Sequence, residues 1–433
     1  MLLYNPTSGR NRDYLDTYLN VTLTHSFEQF KEHQGKKFFL LTIFDIWLAN
    51  KTDTKNDINW EAVFPKELLN ELKTEKYSIL FENASECFTK VAIDTLEDFC
   101  NYIEINPNKV YVCLANSQSV SLNLNSYINI SKYNLFSFER FAFDAVQIGY
   151  SMGNLLYKFK FNQRKRFLFL NRRYSTDRAY MYLNFHKFNL LDNMHCTFGL
   201  DNIYNDDLIT LHQVIEDIST THLTSHEDIT EYIKSNITYI ESFLPHRIKT
   251  DSLVYNTNHK KSCLYSFWNV AAHNSTDINI ITETFRYQYG IRETDIHYQT
   301  LFFITEKTYR TILMKQPFIL FSNPYALQYL RNAGYKTFSP FMDESYDSIE
   351  NLADRQNAII NEVKRLHSMK ESEFNELLVK CREIAEHNYI NLMTRESDKF
   401  HNTVWTNDNL KTYLRDINRE LKATTLIKWN NKY

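Results

Sequence analysis

Glycine is scarce, with only seven residues in 433, at positions 9, 35, 149, 153, 199, 290 and 334. A dinucleotide-binding turn needs three closely spaced glycines and a Walker A loop needs two, and neither spacing occurs. NAD enzymes and P-loop NTPases are therefore disfavoured. Long apolar runs are also missing. Nothing approaches eighteen consecutive apolar residues, and the opening residues Met1 to Pro6 lack the basic segment and apolar stretch of a secretory signal. The six cysteines, at 87, 100, 113, 196, 263 and 381, show no paired metal spacing. Several sit in apolar runs such as 110–114, so they read as buried free thiols of a reducing compartment. Together these absences predict a cytoplasmic protein without a membrane span. A dominant charge is lacking too: 49 Lys and Arg stand against 52 Asp and Glu. The net charge of −3 gives no global attraction to nucleic acid or acidic lipid, which leaves only a local basic surface for such partners.

What the chain does have is length for two buried cores and a high aromatic content. Short apolar runs at 38–44, 77–81 and 110–114, separated by polar helix-like stretches, fit buried strands of an α/β sheet. The Ser- and Asn-rich stretch 116–129 reads as loop. A basic crossing near 158–166 leads into another apolar run, so the domain boundary is placed at about 160. Beyond it, strands at 167–170, 194–198, 277–283, 317–321 and 335–338 alternate with helices at 176–189, 208–218, 306–315 and 324–333. Such alternation predicts parallel pairing through right-handed crossovers, a doubly wound domain over 161–390. From 348 to about 421 the pattern is almost wholly helical, and the segment 391–433 is expected to pack across both domains.

The stretch 303–325 carries the most chemistry. Thr305 is a good N-cap whose hydroxyl is placed for the amide of Thr308, so a helix starts at Glu306. Tyr309, Ile312 and Leu313 form its buried face. Glu306 shares that inward side, a costly place for a carboxylate without a donor. Lys307 is a cation in a first turn, against the helix dipole. Both features are explained if a nucleotide diphosphate sits at this helix start, taking the free amides and Lys307 while Glu306 accepts from ribose or base hydroxyls. On local physics alone they read first as a cap-region carboxylate and a solvated lysine.

A second candidate is the strand-to-helix turn after 167–170, where Arg172, Arg173 and Arg178 surround the carboxyl end of a buried strand. Their planar donors suit phosphate or carboxylate, and loop arginines without a ligand are the alternative. Glu283 ends the strand 277–283 at the same sheet edge, either hydrogen-bonding sugar hydroxyls or solvated. Asn323 reads chiefly as the cap of the next helix, with Pro324 at its first position, and secondarily as a ligand contact.

The run from Thr305 to Thr308, followed by the apolar strand 317–320, then 334–338 and the acidic run 343–347, resembles the C-terminal domain of GT-B-type glycosyltransferases. It is similar to the donor-binding half of α-1,3-fucosyltransferase-like and exostosin-like enzymes and of related bacteriophage-encoded transferases. The likeness covers about 165–390 and leaves the N-terminal half unmatched. It implies two Rossmann-like domains, a nucleotide-sugar donor as substrate and no cofactor. Glu306, Lys307 and Thr308 would line the donor pocket, with Arg172, Arg173 and Arg178 as further phosphate ligands. No Asp-x-Asp metal motif follows a strand, so a metal-independent reaction is expected, with cationic side chains stabilising the leaving diphosphate. If the reaction inverts the anomeric centre, as the fucosyltransferase likeness implies, a carboxylate or histidine of the N-terminal domain deprotonates the acceptor. Asp45, after the run 38–44, is the first candidate, and Asp144 and His25 are lesser ones.

Three functions fit. The first is sugar transfer to a glycan or glycolipid precursor. The second is a phage-type enzyme that glycosylates hydroxymethylated pyrimidines in DNA, with the basic, aromatic stretch 158–167 on phosphates. The third is a non-catalytic nucleotide- or glycan-binding protein.

Overall fold

Runs of buried aromatic and aliphatic residues become the central strands of two parallel sheets, and the mixed stretches between them become helices. The computed structural model describes residues 2–4, 22–24, 26–33, 37–41, 59–74, 77–83, 90–114, 132–137, 141–142, 145–146, 149, 156–157, 160–171, 174–200, 208–221, 227–246, 269–283 and 304–394. The chain is α/β and divides into two units, one spanning Met1–Arg140 and the other Phe141–Asn258 and Leu264–Glu396. The short remainder grouped with the first unit lies outside the described residues.

In the first unit the order is β1 (Leu2–Tyr4), β2 (Thr22–Thr24), α1 (Phe27–Glu32), β3 (Lys37–Leu41), α2 (Trp60–Val63) and α3 (Lys66–Lys73). It continues with β4 (Ser78–Asn83), α4 (Lys90–Tyr102), β5 (Val110–Leu114) and β6 (Asn134–Ser137). The six strands run parallel in the order β2-β1-β3-β4-β5-β6. Phe39 of β3 packs on Phe64 and Phe99, and Trp60 lies 4.7 Å from Phe99 with its indole N–H on Asp98 at 2.9 Å. Burial of these rings fastens α2 and α4 to the sheet. The strands β1, β2 and β6 escape the sequence reading because three or four residues are too few to show a pattern. The expected loop 116–129 lies outside the described residues.

The second unit holds β7 (Lys165–Asn171), α5 (Thr176–Lys187), β8 (Met194–Phe198), α6 (Leu211–Thr221), α7 (Glu227–Ser235), α8 (Ile237–Phe243) and α9 (Val270–Asn274). It continues with β9 (Thr276–Thr282), α10 (Glu306–Leu313), β10 (Phe318–Phe321), α11 (Ala326–Asn332), α12 (Leu352–Ser368) and α13 (Glu371–Thr394). Its sheet is parallel throughout, in the order β10-β9-β7-β8. From β7 the chain moves to one side to form β8 and then to the other to form β9, so the strand order reverses between β7 and β9. Opposite faces are covered by different helices. Phe169 of β7 meets Phe185 of α5 at 5.1 Å, while Asn279 of β9 donates to Thr311 of α10 at 2.5 Å.

The second unit begins at Phe141, upstream of the crossing near 160. Gly149 lies so near α10 and α13 that a Cβ there would meet Leu313 at 2.8 Å and Met393 at 3.0 Å. Glycine is used here for a close approach. The Tyr157 hydroxyl donates to the Leu313 carbonyl at 3.0 Å, and Asn274 donates to the Leu156 carbonyl at 2.6 Å. Helix α13 belongs to this unit, and residues after 394 lie outside the described residues.

Two local expectations need correction. The stretch 335–338 is not a strand, because side chains take its backbone groups: Asn388 brackets Lys336 on both N–H (2.7 Å) and C=O (2.8 Å), and Glu344 accepts from the Phe338 amide at 2.6 Å. Helix α11 starts at Ala326 rather than 324, and Asn323 is not its side-chain cap. The Asp347 carboxylate takes the amides of Leu327 and Gln328 at 2.8 and 3.1 Å from twenty residues away, a tertiary substitute for an N-cap.

His273 closes α9 in the interior. Its Nδ1 is 2.9 Å from Gln316 Oε1, and the Gln316 amide donates to the Thr276 hydroxyl at 2.8 Å. Burial, aided by the Arg310 charge and only partly opposed by the Gln316 contact, pushes the imidazole down to about 4. The unfolded chain takes this proton near 6.5 and the folded chain resists it. The stability from His273 is therefore full above pH 6.5 and declines as pH falls toward 4, by at most ~3 kcal/mol. Denaturant midpoints measured from pH 7 to 4 should fall less steeply in His273→Gln than in the wild type. Parallel profiles would refute the assignment.

Candidate functional site

Open parallel sheets bind ligands beyond the carboxyl ends of the strands where the strand order reverses. In the second unit that place is the β7/β9 junction, where Asn171 and Thr282 end adjacent strands and stand opposite each other by register. The Thr282 hydroxyl donates to Asn171 Oδ1, and the Asn171 backbone amide donates to the Thr197 hydroxyl of β8 at 3.0 Å. Glu283 follows directly and reaches the start of α10, while α5 begins just beyond Asn171. Both helices thus start at one edge.

Glu283 is almost wholly buried, and its carboxylate is consumed by the protein. Oε1 accepts from the Thr305 amide at 2.9 Å and the Thr308 hydroxyl at 2.6 Å, and Oε2 accepts from the Thr305 hydroxyl at 2.5 Å. Lys307 Nζ lies 3.6 Å from Glu283 Oε2, 3.6 Å from Glu306 Oε1 and 3.0 Å from Thr305 Oγ1. Glu283 is therefore a clamp on the helix start and neither a solvated strand end nor an open acceptor. Thr305 does cap α10, but its hydroxyl takes the amide of Lys307, at 3.4 Å, and not that of Thr308. Thr308 is fully buried, facing Glu283.

Glu306 is partly exposed at the helix start. Burial raises its carboxyl, but the charges of Lys307 and Arg310, its own backbone N–H and the Thr305 hydroxyl outweigh that effect and hold it at about 2. It stays ionised throughout the physiological range. Two carboxylates (283, 306) and two cations (307, 310) leave this cluster formally neutral. The features that the sequence reading assigned to a bound diphosphate thus have internal partners. The Lys307 side chain keeps 26% exposure at the ligand edge.

Arg178 sits half-buried in the first turn of α5, its amide on the Ser175 hydroxyl at 3.4 Å. It is on the same edge as Lys307. Arg172 and Arg173, between Asn171 and Tyr174, lie outside the described residues, as do Asp45, Asp144 and His25 in the remainder of the chain. Asn323 is half-buried beyond β10, its carbonyl accepting from Ala326 at 3.3 Å. Part of the basic crossing is engaged within the second unit. Arg164 pairs with Asp277 and Lys165 donates to the Asp192 carbonyl. Arg166 donates to the carbonyls of Leu366, His367 and Met369 at 2.9–3.1 Å and to Glu371 at 2.7 Å.

Two residues at this edge were missed from sequence. Asn171 is one; its signal was a polar residue closing an otherwise apolar strand, where Asn is disfavoured. Tyr325 is the other, 45% exposed with φ 66°. The other described non-glycine residues with positive φ, Glu104, Asn189 and Lys315, each follow a helix C-terminus, where that conformation is usual. Tyr325 instead precedes α11, held by its amide on the Asp347 carbonyl at 2.6 Å.

Among the described residues no three His, Cys, Asp or Glu side chains converge as a metal site would, and no helix is long and apolar enough to cross a membrane. The described cysteines, 100, 113, 196 and 381, are buried thiols outside any disulfide, and burial pushes the thiols of Cys100 and Cys381 up to about 12, out of reach of nucleophilic chemistry near neutral pH. Comparison with family models, with curated proteins and with solved structures finds no match to this chain.

Two outcomes follow for stability. Lys307→Ala removes the cation shared by two carboxylates, so it should lower stability by roughly 1–3 kcal/mol in chemical denaturation; an unchanged midpoint would show that the lysine compensates nothing. Tyr325→Gly relieves a left-handed residue and should raise stability by about 1 kcal/mol in chemical denaturation; a lower stability would mean that the ring packs usefully in the free protein.

Proposed function

We propose that this protein is a glycosyltransferase of GT-B-like build that moves a sugar from a nucleotide-sugar donor to an acceptor hydroxyl on a glycan or glycolipid precursor. The observation that carries the reading is the reversal of strand order at β7/β9, whose carboxyl edge gathers Asn171, Arg178 and Lys307. A parallel sheet with donors and cations at this edge suits a nucleotide diphosphate. The likeness of residues 305–308, 317–320, 334–338 and 343–347 to the donor half of such enzymes supports the same reading.

In this reading the second unit binds the donor. Lys307 and Arg178, with Arg172 and Arg173, balance the charge that develops on the departing diphosphate. The first unit binds the acceptor, and a carboxylate or histidine there, Asp45 foremost, removes its proton. Glu306, ionised and partly exposed, accepts from a donor hydroxyl. Glu283 and Thr308 act one layer back by holding the start of α10. A non-catalytic nucleotide- or glycan-binding role is favoured by one observation: both carboxylates near Lys307 already have internal partners. Lys165 and Arg166 are engaged within the second unit, whereas Lys160 is exposed and Arg164, although paired with Asp277, stays 65% exposed, so a local basic surface is left for DNA as the alternative acceptor.

A melting screen against UDP-, GDP-, CMP- and dTDP-sugars is expected to single out one nucleotide class; a ligand at a hundred times its dissociation constant adds about 2.7 kcal/mol. With mass spectrometry on candidate acceptors, transfer should persist in excess EDTA and fall at least about tenfold in Glu306→Gln. Stabilisation without transfer to any acceptor selects the binding role, and no response to any nucleotide sugar refutes both.

A further inference from the structure

Asn171 presents an unsatisfied donor at the place where the sheet topology puts a ligand. It is 2% exposed, and its side chain is fixed from the neighbouring strand by the Thr282 hydroxyl on Oδ1. Its backbone is fixed from the other side by Thr197. Among the described residues the Nδ2 amide has no hydrogen-bond partner. Exchanging the amide oxygen and nitrogen only moves the deficit, since Oδ1 then takes the unpaired position. A buried polar group left this way forfeits its hydration without compensation, and folded proteins keep few of them. Strand propensity offers no reason for the residue, because a β-branched side chain suits the end of β7 better. The unpaired group carries two donor hydrogens and no acceptor, so it calls for an oxygen with free lone pairs. The cations sharing this edge, Lys307 and Arg178, favour an anionic one.

We propose that Asn171 is a ligand-binding residue whose Nδ2 donates to a phosphate oxygen of the donor's diphosphate, making the β7/β9 junction the diphosphate subsite. This rests on the nucleotide-sugar reading and refines it. The site uses a neutral amide beside the cations, so that the anion is met by a directed hydrogen bond as well as by charge.

The test is calorimetry on the full chain with UDP, GDP, the corresponding nucleosides and inorganic pyrophosphate. Asn171→Ala is expected to weaken the diphosphate that binds by about tenfold. Asn171→Asp keeps an acceptor for Thr282 but turns the donor into a negative oxygen, and should weaken it further. Neither change should alter nucleoside affinity, a selectivity that loss of packing alone would not produce. Asn171→Ser, which retains a hydroxyl for Thr282, replaces the alanine variant if that one does not fold. Diphosphate affinity equal to wild type in the folded variants overturns the role of Asn171 and leaves the nucleotide-sugar reading standing. A wild type that binds neither a nucleoside diphosphate nor pyrophosphate overturns both.

Discussion

The buried carboxylate of Glu283 is the constraint on which the candidate site depends. Removing such a group from water costs several kcal/mol, and the cost is offset only where geometry is good and every lone pair is used. Here the Thr305 amide, two threonine hydroxyls and the Lys307 ammonium supply that compensation. The consequence is mechanical. The last residue before the 284–303 connection is bonded to the first residues after it, so the end of β9 and the start of α10 form one rigid corner. Lys307 is aimed by this corner, and Glu306 owes its ionised state to the same charges.

Elsewhere in the second unit, side chains do work that backbone ladders do in simpler sheets. Asp347 caps the start of α11, Asn388 and Glu344 hold the irregular stretch 335–338, and Arg166 collects the terminal carbonyls of α12. The Tyr346 hydroxyl accepts from the Leu320 amide in the core at 3.2 Å. The acidic run 343–347 is therefore architecture: it ties β10, α11 and α12 together around the carboxyl edge.

The same economy separates residues that bind from residues that support. A group whose hydrogen-bonding capacity is exhausted, such as Glu283 or Thr308, has little left for a ligand. A group with spare capacity or exposure at the carboxyl edge, such as Asn171, Lys307 or Tyr325, does. In the proposed enzyme the first set gives rigidity and the second gives recognition, and rigid support is what makes directed donors effective toward developing charge.

Apolar runs and their spacing were enough to foresee an α/β chain with parallel sheets. The strands at 110–114 and 194–198 and the first residue of α10 are legible because buried strands and capped helices leave local signatures. The strand-end position of Glu283 follows from the same patterns. What each polar residue does there was not legible. Glu283 reads as a ligand carboxylate until Thr305 and Thr308 are brought onto it, and Asn323 reads as a cap until Asp347 arrives from twenty residues away. The order β10-β9-β7-β8, and with it the place of the ligand edge, is likewise a tertiary fact. Periodicity reports whether a residue is buried, but partners distant in sequence decide whether its hydrogen bonds are satisfied, and only the folded chain brings those partners together.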